Sequence, residues 1–97
     1  MYAVVRQAKL KAGMSAEFVT KAQDLAQVMT GKLAGFKAFY IIAGEADTMC
    51  TIGVFESKAA ADAAQAVMAE SIQSTVAAMF ESPPTTLAGS IAVAKTF

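Results

Sequence analysis

The chain has 97 residues, 56% of them apolar and only 16% charged, and its eight basic residues balance eight acidic ones to give no net charge. This length supports one domain, spanning residues 1–97, with a single core. Zero net charge excludes the basic surface from which nucleic-acid binders draw most of their affinity, and so sparse a charge leaves little repulsion to keep the chain monomeric.

The first segment, "YAVVRQAKLK" (Tyr2–Lys11), is β-branched and roughly alternating, and it predicts a strand. "AGMSAEFVTKAQDLAQVMTGKL" then changes period. Ser15 is placed to cap a helix, with Glu17 and Asp24 toward its positive end. Phe18, Ala22, Leu25 and Met29 form its apolar stripe, and Gly31 is a stop signal. "GFKAFYIIA" predicts a second strand, "GEADT" a turn, and "TMCTIGVFE" a third strand returning as a hairpin. Ser57 is placed to cap a second, alanine-rich helix. Its stripe is Val67 or Met68, Ile72, Val76 and Met79 or Phe80, and Pro83 and Pro84 end it. "TLAGSIAVAKTF" predicts the last strand. The order βαββαβ with right-handed crossovers defines an α+β, ferredoxin-like sandwich: a four-stranded antiparallel sheet with both helices on one face.

The second strand has apolar residues at nearly every position, so both of its faces need cover. Which strand set takes which face depends on register. The aliphatic set Phe39, Ile41, Ala43 with Thr48, Cys50, Ile52, Val54 is assigned to the helix side. Phe36, Ala38, Tyr40 and Ile42 with Met49, Thr51, Gly53 and Phe55 are assigned to the open side. An apolar face of that size exceeds what monomers normally expose. The expected cover is a twofold copy, burying about 800 Å² per partner. Phe36, Ala38, Tyr40, Ile42, Met49, Thr51 and Phe55 are therefore the expected interface residues of a homodimer.

No run approaches the roughly 18 apolar residues of a membrane span, and "MYAVVRQAKLKAGM" lacks the pattern of a secretory leader. Cys50 is the single cysteine, which excludes an internal disulfide and fits a reducing, cytoplasmic setting. The chain has no His, Trp or Asn, so no imidazole-based relay or metal ligand can be built. No metal site is expected: the six methionines show no ligand cluster and serve better as core filling. Tyr40 can hydrogen-bond a ligand carbonyl or phenolate, or pack its ring in the interface. Arg6, between Val4 and Ala8, can hold a carboxylate or enolate, or form a salt bridge, with Glu56 for example. Tyr2 and Gln7 read as structural and surface residues, and Cys50 as an inert thiol. Asp47 beside Glu45 fits turn bonding better than a carboxylate pair. Gly53 marks a bulge or a close backbone approach.

The stretch "GFKAFYIIAGEADTMCTIGVFESKAAADAAQAVMAESI", above all the hairpin running into "VFESKAAADAA", resembles the dimeric α/β-barrel superfamily, in particular antibiotic-biosynthesis-monooxygenase-like domains. "SPPTTLAGSIAV" resembles the entry to their last strand. The resemblance implies a homodimer that takes a small apolar or aromatic molecule between sheet and helices, with cofactor-independent oxygenation or isomerisation in which Tyr40 and Arg6 position an enolate. It also places Ser71 where relatives often carry Trp in the second helix, making Ser71 a ligand-binding candidate. Haem-degrading relatives use Asn, Trp and His, and their activity is excluded by the absence of all three. No cofactor, nucleic acid or membrane partner is expected. The alternative reading is a dimeric interaction module without catalysis.

Overall fold

A computed structural model of the chain describes the backbone of residues 1–75 and 77–96, and the side chains of residues 1–28, 31, 33–67 and 78–96. Of the expected helix stripes, Met29, Met68, Ile72 and Val76 lie outside the described residues. The elements run β1 (Tyr2–Lys9), α1 (Ser15–Lys32), β2 (Phe36–Ala43), β3 (Thr48–Phe55), α2 (Lys58–Thr75), a short 3-10 turn (Ala77–Met79) and β4 (Thr85–Ser90). The sheet order is β2-β3-β1-β4, antiparallel throughout, as the βαββαβ order requires.

Helix α2 starts as expected: the Ala60 N–H donates to the Ser57 hydroxyl at 3.2 Å and the Ala61 N–H to the Ser57 carbonyl at 3.1 Å. Helix α1 does not. Its first turn closes on Met14, whose carbonyl accepts from the Phe18 N–H at 2.9 Å. The Ser15 hydroxyl instead donates to Asp47 Oδ1 at 2.9 Å, tying the helix start to the β2–β3 turn. Asp47 also accepts at its carbonyl from the Leu10 N–H at 2.9 Å.

Two element ends differ from expectation. Helix α2 does not continue through Phe80. The chain leaves it to lie along the end of β1, with the Lys11 N–H on the Met79 carbonyl at 2.8 Å and the Glu81 N–H on the Lys9 carbonyl at 2.9 Å. Strand β4 stops at Ser90, which pairs with Tyr2. One further bond follows that pair, from the Ile91 N–H to the Met1 carbonyl at 2.9 Å, and 91–96 carry no regular structure.

The hairpin decides the faces. Gly44 and Thr48 close it, the Gly44 N–H donating to the Thr48 carbonyl at 2.8 Å, and leave Glu45, Ala46 and Asp47 in the loop. An odd loop makes partners share parity: Phe39 faces Gly53, Ile41 faces Thr51 and Ala43 faces Met49. The set Met49, Thr51, Gly53, Phe55 therefore lies under the helices with Phe39 and Ile41, and Cys50, Ile52, Val54 lie on the open side. This reverses the expected assignment of β3, which needed an even loop. Strand β2 keeps its expected assignment from Ala38 onward. Before that a bulge at Lys37 shifts the register, so that Phe36 pairs with Phe55 and stacks on it, ring centroids 5.2 Å apart. Phe36, Met49, Thr51 and Phe55 are thus removed from the expected open-face interface. Met49 and Phe55 are buried in this chain's own core.

Among the described residues the core forms two clusters on the helix side. Leu10, Phe18, Ala22, Met49 and Met79 gather at one end of the sheet, and Val4, Phe55, Ala61 and Ala64 at the other. Small residues let α2 approach: Ala61 and Ala64 are buried. Gly35, at φ +86°, sits so close that an added Cβ would lie 2.9 Å from the Ala60 Cβ. Ala46 and Asp47, at φ 53° and 61°, hold the left-handed pair of a type I′ turn.

Two substitutions test this backbone account in opposite directions by urea unfolding. Ala46→Gly relieves an alanine at positive φ and is expected to stabilise by about 1 kcal/mol. Gly35→Ala adds both a positive-φ penalty and a clash, and is expected to destabilise by at least about 2 kcal/mol.

Candidate functional site

On the helix side of the sheet the registers align Ile41, Thr51, Arg6 and Thr86 in one row across four strands. The row on one side is Phe39, Gly53, Val4 and Ala88, and on the other Ala43, Met49 and Ala8. Arg6 is the one basic side chain in these rows. It is half-buried, and burial pulls its guanidinium below the usual arginine range. The salt bridge with Glu56 does not form: Glu56 follows Phe55, whose partner is Tyr2, at the far end of β1. Ion pairs join Lys9 to Glu81, Lys21 to Glu17 and Lys58 to Asp62, all at the surface, and among the described residues no carboxylate answers Arg6.

A half-buried guanidinium that no described carboxylate answers can hold an anion, because partial desolvation strengthens each hydrogen bond that it donates. Thr51 and Thr86, on the strands either side of Arg6, were not expected as site residues. Alternation marks Val4, Arg6 and Ala8 as one face of β1, but the neighbours of Arg6 follow only from the registers. Thr51 is one of the expected interface residues, and the register places it on the helix side instead.

Tyr40 is on the other face. It is 59% exposed, beside Ile52, and it points away from Arg6. The structure therefore does not bring Tyr40 and Arg6 together in one chain, and the joint positioning of an enolate by these two residues is corrected. Ser71 is in α2, and its side chain lies outside the described residues. Gly53 opens no space for a ligand, since a Cβ there would meet the Phe55 ring at 3.0 Å. Tyr2 packs against the Val4–Phe55 cluster and Gln7 is exposed on the open face. Asp47 is engaged by Ser15 instead of pairing with Glu45. Among the described residues no group of His, Cys, Asp and Glu gathers to hold a metal ion.

The open face is an apolar array. Tyr40, Ile52, Val5 and Leu87 make its central row, Ala38, Val54, Ala3 and Gly89 one flank, and Ile42, Cys50, Gln7 and Thr85 the other. Tyr40, Ile42 and Leu87 are 59%, 53% and 73% exposed. Among the described residues no helix is long and apolar enough to cross a membrane.

The ferredoxin-like fold is shared by several solved structures. One is the NE2512 protein of unknown function from Nitrosomonas europaea, with a TM-score of 0.81 at 19% identity over 98% of this chain and 92% of that one. A candidate antibiotic biosynthesis monooxygenase from the same bacterium gives 0.79 at 15% identity, over 96% and 100%. Rv0793 from Mycobacterium tuberculosis gives 0.80 at 9% identity, over 98% of each. Identities this low establish a common fold alone. None of the proteins with curated descriptions matches the chain. The sequence profile of the antibiotic biosynthesis monooxygenase family matches residues 1–67, which hold β1, α1, the hairpin and the first half of α2. The chain belongs to that family.

A half-buried Arg6 with no ionic partner among the described residues is expected to cost stability in the ligand-free fold. Arg6→Met, which keeps the length of the stem and removes the charge, is expected to raise the urea midpoint of the free protein. A lower midpoint would mean that the guanidinium is well solvated or paired in solution.

Proposed function

We propose that this protein is a cytoplasmic homodimer that binds a small apolar or aromatic molecule between sheet and helices and oxygenates it without a cofactor. The observation that carries the ligand reading is Arg6: a half-buried cation with no ionic partner among the described residues, on a face whose two core clusters are apolar. Membership of the antibiotic biosynthesis monooxygenase family supports the chemistry. The dimer reading rests on the open face, which is large, apolar and centred on Tyr40, Ile52, Val5 and Leu87. The single free thiol, Cys50, supports a reducing compartment.

The reaction asks little of the protein beyond binding a substrate anion. An activated aromatic CH₂ gives up a proton, and the resulting carbanion, delocalised as an enolate or phenolate, supplies the electrons that form a bond to dioxygen. Reprotonation gives a hydroperoxide, which loses water to leave a carbonyl, so that R₂CH₂ and O₂ become R₂C=O and H₂O. Arg6 stabilises the anionic oxygen through which the charge is delocalised.

Two experiments test these parts. In light scattering the mass is expected to be about twice 10.0 kDa, and Ile42→Lys, which sets a charge on the open face, is expected to return it to that of one chain. A monomeric wild-type protein would contradict the dimer. In an oxygen electrode with anthrone as probe, uptake above the buffer rate is expected, reduced at least about tenfold in Arg6→Met. A dimer that neither binds anthrone nor consumes oxygen would favour the interaction module.

A further inference from the structure

The helix side of the sheet holds more than one lone cation. Thr51 and Thr86 are the direct cross-strand neighbours of Arg6, on β3 and β4. Side chains at such positions have Cβ atoms about 5 Å apart, so one threonine stands on each side of Arg6 in a single row across three strands. Neither hydroxyl has a hydrogen-bond partner among the described residues; the hydroxyls that do are Ser15, Thr20 and Ser57. Thr51 is half-buried like Arg6, and Thr86 lies toward the open edge at β4.

The surroundings give this row a direction. Along β1, Val4 belongs to one described core cluster, while Ala8, two residues past Arg6, faces Met49 of the other. The polar row therefore divides two apolar regions. A ligand lying across the row meets apolar side chains on either side of it and donors along it. Arginine brings up to five N–H donors in a planar fork, and each threonine brings one O–H.

We propose that Thr51, Arg6 and Thr86 form an oxyanion seat, which restricts the ligand to an arene carrying an anionic oxygen, as a carboxylate or a phenolate. The seat rests on the reading that the ligand enters between sheet and helices, and it adds the class of molecule that can stay there. A neutral hydrocarbon would leave the guanidinium desolvated and unpaired, whereas an oxyanion meets it with charge-assisted hydrogen bonds. The lowered proton affinity of Arg6 agrees with this, since an incoming anion reverses the effect of burial.

The test is calorimetric, with 2-naphthoate and its methyl ester as probes of similar shape, one an anion and the other neutral. The wild-type protein is expected to bind the acid about tenfold or more tighter than the ester. Arg6→Met is expected to bring the acid down to the level of the ester, Arg6→Lys to recover part of the difference, and Thr51→Val to reduce it several-fold. The wild-type comparison stands even if a variant fails to fold. Equal binding of acid and ester would overturn the seat and leave the apolar site between sheet and helices intact. Binding of neither would overturn the site and the seat together.

Discussion

The register of the β2–β3 hairpin is the constraint on which the rest of this protein depends. A strand alternates its side chains, so shifting the pairing by one residue exchanges every side chain between the covered and the bare face. Three residues between Gly44 and Thr48 set this parity, and two of them, Ala46 and Asp47, hold left-handed backbone. Asp47 then fastens the turn twice, to Leu10 through its carbonyl and to Ser15 through its carboxylate. One short loop thereby sends Met49 and Phe55 into the core and leaves Cys50, Ile52 and Val54 outside.

From that parity come two faces with different chemistry. The helix side is a core interrupted by one row, in which Arg6 stands between Thr51 and Thr86 without an ionic partner among the described residues. A chain selected for stability alone would place an aliphatic residue at position 6, as it does at Val4 and Ala8. The proposed binding role of Arg6 would account for the departure. The open side is nearly all apolar, and its most exposed large residues, Tyr40, Ile42 and Leu87, sit on the two edge strands. On the proposed function each face takes an occupant: a small anionic molecule for one and a second copy of the chain for the other.

Much of the fold is legible in the residues. Period and punctuation give six elements in order, the Ser57 cap and the GEADT turn, because each of these depends on neighbours within a few positions. What is not legible depends on distant partners. Ser15 looks like a cap until Asp47, on another loop, takes its hydroxyl. The end of α2 is set by the backbone bonds that the Met79 carbonyl and the Glu81 N–H make to Lys11 and Lys9. The bulge at Lys37, which turns Phe36 inward, leaves no mark in a run that is apolar on both faces. The site shows the same division. Arg6 stands out on β1 from alternation alone, but Thr51 and Thr86 become its neighbours only through two registers, and Tyr40 departs from it through a third.

The most direct test of the two-faced account is the labelling rate of the Cys50 thiol, compared between the wild-type protein and a variant with a charge on the open face. Cys50 is half-buried between Gln7 and Ile42 on that face, while its chain neighbours Met49 and Thr51 point to the helices. The account predicts slow labelling in the native wild-type protein, because a second copy covers the thiol, and fast labelling in the charged variant while its helices stay intact by circular dichroism. Equal rates in the two proteins would contradict it, showing either that the open face is bare in solution or that Cys50 is on the other side of the sheet.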